Sequence, residues 1–280
     1  LIVLGALLKS AQFPFHTWLP DTMGAPTPVS ALMHAGIING GGYLVVRLSP
    51  VLVNTMSALH FLAFAGALTA VYASMVMLSQ TSVKRSLAYS TIAQMGFMLL
   101  QCGLGAFHLA ILHIVAHSLY KGHAFLSSGS AVETAMRLNA EASYVALPPN
   151  RIWAAVGIAL GIVVAMSVSF GVSPSGKPGM LVLSMVVVMA LTQLLWTQMR
   201  RGRKGTDLIP AVGKAAGYCA IYFGLAYAAQ YLLQSSLPRA VPSTLFFEVI
   251  LTLVLFSFLI TSIRFQDGER GFLSVAYKQR

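Results

Sequence analysis

Long apolar runs separated by short polar stretches fill this chain, and they decide what it can fold into. Crossing the ~30 Å hydrocarbon core of a bilayer takes about 20 helical residues, because a helix satisfies its own backbone groups where water is absent. Nine segments meet or approach that length, near 1–19, 27–49, 55–79, 86–103, 105–128, 152–172, 180–199, 211–234 and 244–263. Turn-forming residues fall between them: Pro20 and Asp21, Ser49 and Pro50, Pro148-Pro149-Asn150, Ser173 to Gly179, and Leu237 to Pro242. The expectation is an all-α, polytopic membrane bundle of about nine transmembrane helices. With 57% hydrophobic and only 9% charged residues, lipid rather than water is the solvent for most of the surface.

Eighteen Lys and Arg against seven Asp and Glu give a formal charge of +11, which in a soluble chain would raise nucleic-acid binding. The basic residues lie between apolar runs instead, with no basic stripe interleaved with exposed aromatics, so nucleic acid is set aside. Sorted by nine crossings, one side carries Lys84, Arg85, Arg137, Arg151, Arg200, Arg201, Arg203, Lys204, Arg264, Arg270, Lys278 and Arg280. The other side carries Arg47, Lys177 and Arg239. Twelve against three puts the C-terminus in the cytoplasm and Leu1 outside. The remaining lysines, Lys9, Lys121 and Lys214, fall within helices.

Cys102 and Cys219 sit in apolar runs without CxxC or Cys/His spacing and read as packing residues. The opening LIVLGALLKS has no initiator Met and no basic n-region, so it reads as the middle of a longer product whose earlier helices precede Leu1. A more polar stretch at 133–151, a loop or lateral helix, separates a polar-studded part (1–132) from plainer helices (152–263) and a cytoplasmic tail (264–280).

His113, His117 and Lys121 follow one another at i+4, forming a stripe about 12 Å long on one helix face. A charge inside the membrane costs at least a few kcal/mol, so such a line needs a bundle interior or a water-filled cavity. Histidine titrates near neutrality and a desolvated lysine can release its proton, so the stripe reads as a proton relay. The plainer reading is helix glue; a His113–His117 zinc pair lacks any third ligand. Lys9 lies within the first apolar run, followed by Gln12, Pro14, His16 and Asp21. A charge beside a proline-broken helix is how midplane ion sites are built, although Lys9 could also snorkel to an interface. His34, ahead of Gly40-Gly41-Gly42, reads equally as a core residue or a relay member, and the glycines as close approach or local unwinding. Tyr89, Ser90 and Gln94 could hold water on the fourth helix, while Lys214 and Glu248 fall near helix ends and read as interfacial.

Three stretches carry a resemblance: KSAQFPFHTWLPDTMGAPTPVSALMHAGIINGGGYLVVR, VKRSLAYSTIAQMGFM beginning beside Lys84, and HIVAHSLYKGHAFLSSGS. They resemble the antiporter-like subunits of respiratory complex I and of Mrp cation/proton antiporters, over residues 1 to about 132. The resemblance implies that Lys9 matches the lysine of the first broken helix, and His34 the histidine linking it onward. His113, His117 and Lys121 would match the central relay, with His123 counted alongside. In that family the first lysine pairs with a glutamate from an earlier helix, which this sequence does not contain. Lys121-Gly122-His123-Ala124-Phe125 departs from the apolar stretch usual after the central lysine, and nothing between Arg151 and Phe265 resembles the family's second Gly-Phe-Phe-Ser-Lys-type break.

Those departures are similar to the DabB family, the membrane subunits of DAB inorganic-carbon accumulation complexes. That resemblance implies an ion-translocating subunit without catalysis of its own. A cytoplasmic DabA-like partner, related to β-type carbonic anhydrases, would hold the zinc and convert CO2 to bicarbonate; no cofactor is expected in this chain. A proton-pumping subunit of complex I or an Mrp antiporter is the alternative, and an inert scaffold the third. Protons and Na⁺ both remain open, because a sodium site of backbone carbonyls leaves little trace in sequence.

Overall fold

The computed structural model describes residues 1–129, 150–171, 179–201, 208–238 and 244–278. Regular structure among them is helical throughout. The first part holds α1 (Ile2–Lys9), α2 (Trp18–Asp21), α3 (Thr27–Ala35), α4 (Gly40–Arg47), α5 (Ser49–Leu52), α6 (Met56–Leu78), α7 (Val83–Gly103) and α8 (Phe107–Leu126). The second holds α9 (Asn150–Ser169), α10 (Met180–Arg201), α11 (Leu208–Leu233) and α12 (Leu245–Lys278).

The first apolar run does break around Pro14. α1 stops at Lys9, Ala11 takes a positive φ of 49°, and the Phe13–Pro14 bond is cis. Irregular backbone at membrane depth survives only where other groups satisfy it. Here the Phe13 amide donates to Thr69 Oγ1 of α6 at 3.2 Å, the Gln12 amide to the Leu7 carbonyl at 2.9 Å, and Ser10 Oγ to the Ile38 carbonyl at 2.8 Å. The second run is interrupted by a 3-10 turn over Ile37–Asn39, so the unwinding lies just before the glycines. The glycines themselves serve close approach: a Cβ on Gly41 would fall on Ser10 Oγ and the Ala6 carbonyl, which lets α4 lie directly on α1.

α6 and α7 form the tightest helix pair. The Gly66 Cα faces the Gly96 carbonyl and vice versa, so that a Cβ on Gly96 would come within 2.6 Å of the Gly66 oxygen. Without a hydrophobic drive between helices in lipid, this backbone-to-backbone packing is what holds such a pair. α8 lies across α3, α4 and α7 and also touches α11, joining the two parts. In the second part Ala155, Ala159, Leu191, Leu195, Ala215 and Cys219 build the core between α9, α10 and α11, while Leu251 and Leu255 of α12 reach Ala63 and Ala67 of α6. Both cysteines are buried and unbridged.

Nine spans are too many. Six helices among the described residues are long and apolar enough to cross a membrane: Thr27–Arg47, Met56–Leu78, Arg151–Ser169, Met180–Arg200, Leu208–Leu233 and Leu245–Ile263. The other three runs fall short for physical reasons. α1 ends after eight residues at the break. α7 and α8 are long enough, at 21 and 20 residues, but too polar: α7 carries Lys84, Arg85, Ser90, Thr91, Gln94 and Gln101, and α8 carries His113, His117, Lys121 and His123. The polar segment expected at 133–151 lies outside the described residues except for its last two positions, which begin α9. α12 continues as one helix from Leu245 through the stretch read as a tail, to Lys278.

Candidate functional site

The site forms where α7 meets α3 and α8. Leu87, Ser90, Thr91, Gln94 and Gln101 recur on α7 at spacings of three, four and seven, which places them on one face. The i+4 stripe of α8 is set against that face. Lys121 is fully buried, and its Nζ donates to Ser90 Oγ at 2.9 Å and to the Leu87 carbonyl at 3.3 Å. Both acceptors are neutral oxygens.

The Leu87 carbonyl is shared. Thr91 Oγ1 also donates to it, at 3.0 Å, which commits the threonine hydroxyl proton. The 3.0 Å contact between Thr91 Oγ1 and His34 Nδ1 must then run from the imidazole to the hydroxyl. The network therefore assigns the proton of neutral His34 to Nδ1. Its Nε2, buried and without a protein partner, is left as an acceptor. The ring stacks on Phe125, one turn beyond Lys121, with centroids 4.3 Å apart and an interplanar angle of 25°. An amine and, through the Thr91 hydroxyl, an imidazole from different helices thus meet at one α7 carbonyl. Both are proton-exchanging groups, so the arrangement has the chemistry to hold and pass a proton.

One turn back from Lys121, His117 is buried with neither ring nitrogen bonded to protein. His113 follows, its ring 6.0 Å from that of His117 and 5.4 Å from Phe97. Both line a cavity of about 380 Å³ together with Gln94, Gln101 and Tyr120. Asn39, in the 3-10 turn, donates from Nδ2 to the Ala35 carbonyl at 2.7 Å and to Ser118 Oγ at 3.0 Å, tying the turn to α8 beside the stripe.

The structure thus brings together His34, Ser90, Gln94, His113, His117 and Lys121. Other expected positions stand apart. Lys9 is exposed, its aliphatic stem 3.3 Å from where a Cβ of Gly40 would lie. Pro14 sits in the break, and Asp21 is exposed in α2. His16 is buried, stacked on Phe13 at 5.8 Å and edge-on to Tyr72 at 5.1 Å. Lys84 donates to the Ala25 carbonyl at 3.4 Å, Tyr89 packs on the core, and His123 points to the exterior of the bundle. Glu248 differs from its interfacial reading: it is buried and accepts the Gly179 amide at 2.8 Å at the start of α10. Sequence reasoning passed over Thr91 and Gln101, although both share the α7 periodicity of Ser90 and Gln94. Among the described residues, no three His, Cys, Asp or Glu side chains stand together as a metal cluster.

A family model described as "NADH:quinone oxidoreductase/Mrp antiporter, TM" matches residues 1–197. The protein named "Probable inorganic carbon transporter subunit DabB1" of Halothiobacillus neapolitanus is 56% identical over 137 residues, 49% of this chain and 24% of that relative. "Probable inorganic carbon transporter subunit DabB2" of the same organism is 43% identical over 227 residues, 79% of this chain and 40% of the relative. The chloroplastic "NAD(P)H-quinone oxidoreductase subunit 5" of Piper cenocladum is 43% identical over 135 residues, 48% of this chain and 18% of the relative. The chain therefore spans less than half the length of each of these relatives. The family match covers α1 through most of α10, including every residue of the buried lysine–histidine cluster, and the chain belongs to the NADH:quinone oxidoreductase/Mrp antiporter transmembrane family.

Proposed function

We propose that this chain is the proton- or sodium-conducting part of a membrane subunit that couples a cation gradient to inorganic-carbon accumulation. The observation that carries the reading is Lys121, buried on neutral oxygens and sharing the Leu87 carbonyl with the Thr91 hydroxyl that holds His34. Family membership supports ion movement, and the two DabB relatives support the carbon connection. In this reading the chain catalyses nothing itself. A DabA-like zinc subunit related to carbonic anhydrases binds on the cytoplasmic side and converts CO2 to bicarbonate there, driven by ion entry.

Sidedness follows from the last three spanning helices. Arg200 and Arg201 end α10, Arg203 and Lys204 follow before α11, and Arg264, Arg270, Lys278 and Arg280 follow the membrane portion of α12. Only Lys177 and Arg239 flank the opposite ends. In this reading the basic side is cytoplasmic, as the positive-inside rule supports, the C-terminus lies in the cytoplasm, and the membrane is the prokaryotic inner membrane of the DabB relatives' complexes.

A complex I or Mrp pumping subunit is the second reading, favoured by the chloroplastic relative. The DabB2 match extends across 79% of this chain, well into the helices after α8, and supports the first.

The test uses the full-length protein in a carbonic-anhydrase-deficient host. Lys121→Ala and Lys121→Arg are each expected to abolish CO2-dependent growth rescue while the partner still co-purifies. Arginine keeps the charge but does not release its proton, so it separates relay from scaffold. Full rescue by Lys121→Arg at equal expression would remove the relay role.

A further inference from the structure

The cavity beside His113 and His117 adjoins a second one. A larger cavity of about 680 Å³ opens between the start of α8, the start of α10 and the end of α11. Tyr222 and Leu109 line both. Each volume is many times the roughly 30 Å³ share of one water molecule.

Three observations favour an aqueous branch over a lipid groove. Polar side chains interrupt the largely apolar walls: Gln94 and Gln101 in the smaller, His108, Ser184, Gln230 and Gln234 in the larger. Gln101 and His117 are more than nine-tenths buried, and Gln101 Oε1 and both His117 nitrogens lack protein partners, which marks water-bonded positions at the inner end. The larger cavity also lies at the helix ends marked by Gly105, Met180 and Leu233, opposite the arginine-rich ends of α10 and α12.

We infer that ions or protons leave, or enter, the His113–His117 pair toward the non-cytoplasmic face through this branch, with Tyr222 at its junction. The inference rests on the ion-conducting reading and adds to it a route within this chain that needs no second broken helix. His117 and His113 hand a proton to water in the smaller cavity. Water threads past Tyr222, whose hydroxyl donates or accepts as required, into the larger cavity and out past Gln230 and Gln234.

The experiment uses the full-length complex in oriented vesicles, with Cys102 and Cys219 replaced by Ala. Single cysteines are placed at Ser184 and Ala226 in the larger cavity and at Ile221 on the lipid-exposed face of α11. A charged methanethiosulfonate reagent added outside should modify positions 184 and 226 at least about tenfold faster than 221, because a thiol needs water to ionise. Modification at 226, and Tyr222→Trp at the junction, should each cut ion flux severalfold. Equal rates at the three positions would show a lipid-filled groove and overturn the branch. So would fast labelling at 184 and 226 with flux unchanged by both modification and Tyr222→Trp. An unmodified parent that conducts nothing fails the underlying reading and the branch with it, whereas either of the other failures in a conducting parent fails the branch alone.

Discussion

The hydrogen bond from His34 to Thr91 admits a quantitative test. Thr91→Val keeps the shape of the side chain and deletes the hydroxyl that accepts from Nδ1 at 3.0 Å. His34 is fully buried and its Nε2 already lacks a protein partner, so the substitution leaves the imidazole with no polar contact to protein. Interhelical hydrogen bonds inside membrane proteins average about 0.6 kcal/mol and reach about 1.7. A buried donor stranded by mutation costs about 1–3 kcal/mol. The full desolvation of His34 puts this bond at the upper end, so the coupling between the two side chains should be about 1–1.7 kcal/mol. The assay is a double-mutant cycle of Thr91→Val, His34→Leu and the pair, read by reversible unfolding in mixed micelles. Thr91→Val should destabilise the parent clearly and the His34→Leu background much less. Independent sites add within about 0.3–0.5 kcal/mol, so a coupling inside that band would refute both the bond and the tautomer assigned from it.

Two further outcomes are expected. Gly96→Ala places a Cβ 2.6 Å from the Gly66 oxygen and 2.7 Å from the Ala70 nitrogen, where ordinary contact starts at 3.4 Å; overpacking of this kind should cost about 1–3 kcal/mol in the same unfolding assay, and an unchanged midpoint would count against the tight α6–α7 interface. Single cysteines at positions 204 and 177 of the full-length protein should label from opposite sides, with 177 reached by an impermeant reagent outside intact cells; outside labelling at 204 would reverse the sidedness.

The sequence made some of this legible and hid the rest for identifiable reasons. The i+4 repeat of His113, His117 and Lys121 survives folding because helical spacing alone determines a shared face. The break near Pro14 was readable because proline cannot continue a helix, but the groups that satisfy it, Thr69 and the Ile38 carbonyl, come from distant helices with no local signal. The span count was overread because hydrophobic length does not distinguish a helix in lipid from one enclosed by others; α7 is half polar along the face that holds Lys121. Glu248 looked interfacial from its place near a helix end, yet burial came from the packing of α12 beside the start of α10. His123 sits only two residues past Lys121, and two residues on a helix is most of the way to the opposite face.

The choice of partners around Lys121 bears on how it can work. A carboxylate would hold the ammonium by Coulomb attraction and leave a buried uncompensated charge whenever the proton departed. Hydroxyl and carbonyl oxygens impose no such constraint. The Ser90 hydroxyl accepts from an ammonium and can turn to donate to a neutral amine, so its bond at 2.9 Å survives either state with one rotation. The Leu87 carbonyl only accepts, but it also receives the Thr91 hydroxyl, so it is not stranded when the lysine loses a proton. His34 is ambivalent in the same way, since an imidazole that donates at Nδ1 can take a proton at Nε2. Whereas a proton on His34 Nε2 would need a water to accept from it, Lys121 can change protonation state on its two acceptors without orphaning a buried polar group, provided the helices keep their spacing. That condition falls on the backbone contact between Gly66 and Gly96, roughly one and a half turns along α7 from Thr91 and Ser90. A displacement of about 0.8 Å there, the shortfall a single added methyl would force open, is comparable with the difference between a hydrogen bond and none. The rigidity of one helix pair and the proton tolerance of its polar face are thus two requirements on the same helix, α7, met by glycines on one side and by hydroxyls on the other.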